Sequence, residues 1–302
     1  MESRRIWNAA PHNAFTDLAR WKDRWWCVFR EGQGHVSPDG AVQLLSSPDG
    51  QTWTSAHRFT SARADLRDPK LNVTPSGELM VIAAGAVHGP AGSNKPAAHE
   101  NFTWFSTDGR SWSPPHPVGE TNVWLWRVTW GRHQALSIGY DTLREGFIRL
   151  YRTLDGKKFD LLDPALLTEQ YPNEHGMVFL KDQMAVCLLR RDGKPGQGLL
   201  GVARPPYRDW KWKEVGAKIG GPALIQLPDE RLIGVVRLYD NKVRTSVCQL
   251  DRDTGKLTEL LALPSGGDTS YPGLVWHENL LWISYYSSHE GKTSIYLAKV
   301  KI

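Results

Sequence analysis

The residues of this chain with chemical potential sit at the ends of short apolar runs. "FTDLAR" holds Asp17, "LRDPKL" holds Asp68 and "NEHGM" holds Glu174, so a carboxylate stands near the start of three separate segments. "TSYPG" offers Tyr271, while "VFREG", "CLLRR" and "VVRL" carry Arg30, Arg190 with its neighbour Arg191, and Arg237. Carboxylates in different environments can act as general acid and general base. A tyrosine can attack carbon if a base takes its proton, since holding it ionised at pH 7 costs about 4 kcal/mol from a pKa near 10. Arginines converging on one point call for an anion, and a carboxylate ligand meets their forks with paired hydrogen bonds.

Such chemistry needs a scaffold that brings positions 17 to 271 together. Runs such as "RWWCVF", "AVQLL", "ELMVIAA", "FIRLYR", "MAVCLLR", "RLIGVVRL" and "SIYLAKV" have the length and alternation of strands, and "PDG", "PSG", "KDQ", "PDE" and "HEN" punctuate them as hairpin turns. Long helical patterns are absent. Segments opening at Asn13, Arg67, Trp124, Glu174, Gly221 and Ser270 follow one another at intervals of 54, 57, 50, 47 and 49 residues. About four strands per interval is the signature of a β-propeller. The expectation is an all-β chain, a six-bladed β-propeller of four-stranded antiparallel blades forming a single domain over residues 1–302. The sixth unit ends after three strands at "SIYLAKVKI", and the N-terminal "RRIWNAA" is expected to supply its outer strand. That closure removes two free sheet edges.

Composition narrows the partners. Hydrophobic residues are 40% and charged residues 23%, ordinary for a globular chain. The net charge of +5 comes from basic residues that are scattered rather than gathered, so nucleic acid is not an expected partner. No apolar run approaches the roughly 20 residues that span a bilayer, and "MESRRIWNAAPHN" lacks the apolar stretch of a secretion signal. No membrane association is expected; the location is cytoplasmic as the chain stands, and periplasmic or secreted if a signal peptide was removed. Cys27, Cys187 and Cys248 lie inside apolar runs and read as core thiols. Fourteen tryptophans must pack between layers or form a surface on which sugars stack.

One turn recurs: "SSPDGQTW" at 46–53, "STDGRSW" at 106–112 and "TLDGKKF" at 153–159. Its Asp can accept backbone N–H groups, its Gly permits positive φ, and its aromatic can pack beneath the loop against the next blade. The three copies resemble the Asp-box (BNR) repeats of the sialidase, or neuraminidase, family of six-bladed propellers, in a version one residue shorter than the commonest form. In that family the repeats fasten outer hairpins and take no part in catalysis.

The resemblance extends over essentially the whole chain and implies roles at the axis. "VFREG" places Arg30 there, "LRDPKLNV" matches Asp68 to a substrate-contacting Asp, and "NEHGMVFLKDQMAVCLLRR" matches Glu174 to the base and Arg190 to a carboxylate-binding arginine. Arg237 corresponds to another arginine of that clamp, and Tyr271 to the nucleophile. Where the family has its first clamp arginine, this chain reads "HNAFTD", with His12 and Asn13; Arg67 is placed to approach the same space, or the sugar is less acidic. The acid/base belongs to the loop "EGQGHVSPDG", where Asp39 is the positional candidate and His35 a second, with an unperturbed pKa near 6.5; Asp68 is a third.

The function so implied is a retaining exo-glycosidase acting on a terminal acidic sugar, with carbohydrate as partner and no cofactor or metal. Two other readings remain. Asp17, Asp68 and Glu174 resemble the three acids of five-bladed arabinanase and invertase hydrolases, a scheme in which Tyr271 is dispensable. A propeller that binds sugars without chemistry is the other. One distance separates them: the sialidase-type mechanism requires Glu174 and Tyr271 within hydrogen-bond reach at the axis.

Overall fold

The computed structural model describes residues 1–302 apart from 91, 92, 94, 144 and 145. The described residues form twenty-four strands in six four-stranded antiparallel sheets, the blades of a propeller. No helix occurs among the described residues, and so none long and apolar enough to cross a membrane. The first five blades are meanders of consecutive strands, and the innermost two strands of every blade are joined by a tight turn of two to five residues. The innermost strands, in blade order, are His12–Trp21, Ala64–Val73, Val123–Trp130, Pro172–Phe179, Ile219–Gln226 and Thr269–His277. All six segment starts read from the sequence fall inside them.

The sixth blade closes as expected. Its strands Thr269–His277, Leu280–Ser287 and Ser294–Val300 are completed at the outer edge by Glu2–Trp7, with Glu2 opposite Lys299 and Arg4 opposite Leu297. The Ser3 hydroxyl meets the Tyr285 hydroxyl at 2.8 Å, and the Arg4 guanidinium donates to the Gly50 carbonyl in the first blade.

Six apolar clusters fill the six interfaces between neighbouring blades. Tryptophan does much of this packing. Trp25 of blade one stacks on Trp282 of blade six with ring centroids 4.1 Å apart, and Trp21, Trp26 and Trp104 pack with Leu66 and Leu79 between blades one and two. Each such ring removes roughly 150–250 Å² from water, so truncating one costs about 3–5 kcal/mol. The three cysteines are buried free thiols, and burial raises each above its ordinary range.

The recurring turns lie on the outer side of blades one, two and three. Asp49 Oδ1 accepts the N–H groups of Gln51 and Thr52 at 2.7 and 3.0 Å; Asp108 and Asp155 hold their turns in the same way. These bonds lower the Asp49 carboxyl to about 2. Asp251 in blade five holds a fourth turn through the N–H groups of Asp253 and Thr254, without the glycine that marks the other three in the sequence. Gly50, Gly109 and Gly156 have φ of 67°, 74° and 72°. A Cβ on Gly109 would lie 2.0 Å from the Trp26 ring, and one on Gly156 would lie 2.6 Å from Met80 Sδ. The backbone of each turn therefore rests on the preceding blade; the aromatic Trp112, expected to pack against the next blade, also turns to the preceding one, with its ring centroid 4.9 Å from that of Phe59 in blade one.

Candidate active site

Every innermost strand breaks register with its neighbour near its start. The breaks fall between Ala14 and Asp17, Arg67 and Lys70, Leu125 and Arg127, Pro172 and His175, Gly220 and Ala223, and Ser270 and Gly273. An extra residue in one strand of a pair bends the chain and re-aims a side chain. The extra residues include Phe15, Asp68, Trp126, Glu174, Gly221 and Tyr271, one set from each blade. Phe15, Asp68, Gly221 and Tyr271 have positive φ, between 49° and 64°. Proline follows the bulged residue at Pro69, Pro222 and Pro272, where it disfavours a helical backbone for the residue before it.

These bulges meet at the axis. Tyr271 Oη donates to Glu174 Oε1 at 2.6 Å, the contact that the sialidase-type chemistry requires. Arg190 Nη1 reaches both partners, at 3.1 Å from Tyr271 Oη and 2.8 Å from Glu174 Oε1. The other carboxylate oxygen of Glu174 accepts the Gly221 N–H at 3.0 Å. A Cβ on Gly221 would come within 2.9 Å of the Tyr271 ring and its backbone nitrogen, so glycine is what lets Tyr271 lean across blade five toward blade four. The Tyr271 ring is walled by Phe15 and Trp126, with centroids at 5.1 and 5.6 Å.

The electrostatics assign the shared proton. Burial, and then the charge of Glu174, push the Tyr271 phenol well above its ordinary value. Burial also opposes ionisation of Glu174, but the Arg190 charge and the hydrogen bonds from Tyr271, Arg190 and Gly221 outweigh it and hold this carboxyl below its usual range. The resting pair is a neutral phenol beside a carboxylate, an arrangement in which the phenol's proton can pass to a base.

Asp68 is the contrasting acid. Desolvation raises it from 3.8 to about 6, reinforced by the Glu174 charge and opposed by Lys70, Arg67 and His35. Its carboxyl makes no hydrogen bond among the described residues. Asp68 and Glu174 thus have environments that drive their pKa values apart, the pattern of a proton donor beside a base. Beneath them Lys70 is buried against the Trp126 ring, 4.8 Å from its centroid, and desolvation brings its ammonium down to about 8.

Arg237 borders Tyr271 on the other side, with its guanidinium 5.4 Å from the ring centroid. Its Nε donates to the Thr269 carbonyl at 2.7 Å and its Nη2 to the Tyr286 hydroxyl at 3.1 Å. Among the described residues, Arg237 Nη1, Arg190 Nη2 and both Nη atoms of Arg67 make no hydrogen bond, so all three arginines keep donors free for a ligand. Arg67, anchored through Nε on Asp65, also lines a cleft of about 660 Å³ at the rim with Pro38, Ala86, His88 and Lys95. His12 and His35 both turn toward Asp268, and the exposed His35 ring lies edge-on to Phe15 at 5.0 Å.

Four expected residues are employed elsewhere. Arg30 is fully buried, and its guanidinium is consumed by Asp65, Gly34 and Ser37, so it pins the 33–37 loop instead of reaching a ligand. Asn13 binds the carbonyls of Ala10 and Thr293 and fastens the ring closure. Asp39 accepts the Gln33 N–H at 3.1 Å; partial burial raises its carboxyl, but hydrogen bonds from Ser37 and Gln33 lower it more, the wrong direction for a proton donor. Asp17, required by the three-carboxylate reading, is buried and held by Arg127 at 3.0 Å and the Leu71 N–H at 2.9 Å. Arg191 is likewise occupied, by Gln197 and Glu214.

Several site residues were not singled out from the sequence as contacts: Gly221 as donor to Glu174, Lys70, Tyr286 and Asp268. The one sequence signal for Gly221 is its place before proline, shared with Asp68 and Tyr271 in "RDP", "GGP" and "SYP".

No protein-family model and no curated protein matches the chain. Solved structures do match. A Dyadobacter fermentans protein of unknown function superposes with a TM-score of 0.85 at 20% identity, over 100% of this chain and 98% of that one. An α-L-arabinanase from Penicillium chrysogenum, complexed with arabinobiose, gives 0.75 at 12% identity over 99% and 98%. The Trypanosoma rangeli sialidase in complex with the inhibitor DANA gives 0.69 at 10% identity, over 96% of this chain and 55% of that one. At these identities the likeness establishes the six-bladed propeller that this chain shares with them, and the site must be argued from its own residues.

Proposed function

We propose that this chain is a retaining glycoside hydrolase acting on a terminal acidic sugar, with Tyr271 as nucleophile and Glu174 as its base. The observation that carries the reading is the 2.6 Å hydrogen bond from Tyr271 to Glu174, with Arg190 on both partners. As the phenol oxygen bonds to the anomeric carbon, its proton passes to Glu174. Asp68, protonated below pH 6, gives its proton to the departing glycosidic oxygen. Water then attacks the glycosyl-tyrosine, with Asp68 as base; the tyrosine oxygen leaves and recovers its proton from Glu174. Two displacements at one carbon retain its configuration, and tyrosine in the nucleophile's place is the known sialidase departure from the usual carboxylate pair. A neutral nucleophile suits an anionic sugar, whose carboxylate the free donors of Arg67, Arg190 and Arg237 are placed to take.

The glycosidase neighbours support a carbohydrate substrate by fold. The three-carboxylate alternative loses support because Asp17 is sealed behind Arg127. The test is a hydrolysis screen across acidic and neutral aryl glycosides with product stereochemistry followed by NMR. Turnover of an acidic glycoside with retention is expected; inversion, or activity confined to neutral sugars, contradicts the reading.

A further inference from the structure

We propose that His12, His35 and Asp268 form a divalent-cation site, fitted to zinc, beside the axial site. The three come from distant parts of the chain: the start of the first innermost strand, the 33–37 loop of blade one, and the residue preceding the innermost strand of blade six. Their candidate ligand atoms all lie within 4.8 Å of one another. No other group of three such donors occurs among the described residues. Both imidazoles aim one nitrogen at the same carboxylate oxygen, Asp268 Oδ2, His12 Nε2 from 3.3 Å and His35 Nδ1 from 2.8 Å. Zinc bonds of about 2.0–2.2 Å in a tetrahedron space their donors about 3.4 Å apart, so His12 already fits and the exposed His35 needs to retreat by a fraction of an ångström.

The surroundings suit the same ion. Asp268 Oδ1, the oxygen the imidazoles leave free, accepts the Tyr286 hydroxyl at 2.6 Å, the kind of outer hydrogen bond that fixes a ligating carboxylate. The backbone N–H of Asp268 is held by Ser288 Oγ at 2.9 Å. The two imidazole rings cross edge-on with centroids 5.4 Å apart, and Phe15 packs against both. Two imidazoles and one carboxylate favour zinc over calcium or magnesium, which prefer all-oxygen shells. Three protein donors leave a fourth position for water or a ligand oxygen. Arg237 Nη2 stands 3.6 Å from Asp268 Oδ1 and so joins this cluster to Tyr271, although the ion site rests on its own geometry and does not depend on the chemistry proposed for that tyrosine.

The experiment uses the full chain stripped with a chelator and dialysed. Zinc chloride is titrated by calorimetry, and cobalt(II) chloride is followed by its visible spectrum. One zinc equivalent per chain and the intense visible bands of four-coordinate cobalt are expected. His35→Ala, at a half-exposed position, and Asp268→Asn are each expected to weaken binding at least about a hundredfold, at or beyond the upper end of the effect of losing an outer partner. Tyr271→Phe is expected to bind zinc as the parent does, which separates this site from the proposed catalysis. Absence of stoichiometric binding overturns the inference, and so does binding undiminished in His35→Ala, which would place the ion at other histidines.

Discussion

Tyr271 and Glu174 share one proton, and its resting place decides what each can do. Because the phenol is raised and the carboxylate lowered, substitution on either side removes a different part of the step. Tyr271→Phe is expected to lower kcat on an acidic aryl glycoside at least about a thousandfold with an unchanged unfolding midpoint, since only one oxygen is lost. Gly221→Ala is expected to cut kcat by about tenfold or more: the new methyl would press on the Tyr271 ring and backbone from 2.9 Å, and alanine resists a φ of 51°. Equal rates for Gly221→Ala and parent would show that the glycine does not position the pair. In the proposed mechanism Asp68, as the proton donor, sets the pH dependence. Its acid form is populated below about 6, so kcat/KM should fall about tenfold per unit above that pH. The sign for stability follows from the same shift: a carboxyl raised when folded adds stability at low pH that is lost as pH rises through about 6. Asp68→Asn should therefore melt higher than the parent at pH 8 while losing the alkaline limb of the rate profile; a lower melting point there contradicts a desolvated Asp68.

The element that builds the site is the bulge repeated in the six innermost strands, and it was poorly legible in the sequence. A bulge is a property of pairing, two residues against one, and single-strand periodicity does not report it; the prolines after Asp68, Gly221 and Tyr271 are its only trace. Arg30 shows the same limit. At the end of a second strand it reads like Arg190 and Arg237, yet the 33–37 loop folds back and takes its donors. Asp39 sits in "SPDG", a sequence equally suited to a turn and to an acid, and Gln33 decides for the turn. The Asp-Gly turns were legible because their chemistry is local. Their unforeseen part is the contact of Gly109 with Trp26 in the blade before it. Gly109→Ala is expected to destabilise the fold by about 2–4 kcal/mol, through overpacking and positive φ, with kcat unchanged in the folded fraction. Denaturant unfolding checks the first part and single-temperature kinetics the second.

At the scale of the molecule, strand spacing and turn residues sufficed to read six blades, because repetition makes the same local signal appear six times. Closure by Glu2–Trp7 was legible from a missing strand, and its register with Ser294–Val300 now accounts for the tie between the chain ends. Deleting residues 1 to 10 opens that edge and also frees the Asn13 fastening on Ala10. The truncation is expected to lower the melting temperature of the whole ring by at least about 10 °C, a loss of several kcal/mol at this size; an unchanged transition would mean the ring is held without it. What repetition cannot reveal is the one feature that differs from blade to blade, the identity of the bulged side chain at the axis. That difference gives a symmetric scaffold its asymmetric site, with Asp68, Glu174 and Tyr271 on three blades and the blank Gly221 between the last two.

The identity of the nucleophile can be read directly by incubating the protein with a fluorinated, activated glycoside of an acidic sugar and mapping the peptides by mass spectrometry. A sugar adduct on Tyr271, absent from Tyr271→Phe, is the expected result; an adduct on Asp68 or Glu174, or turnover undiminished in Tyr271→Phe, would contradict the mechanism.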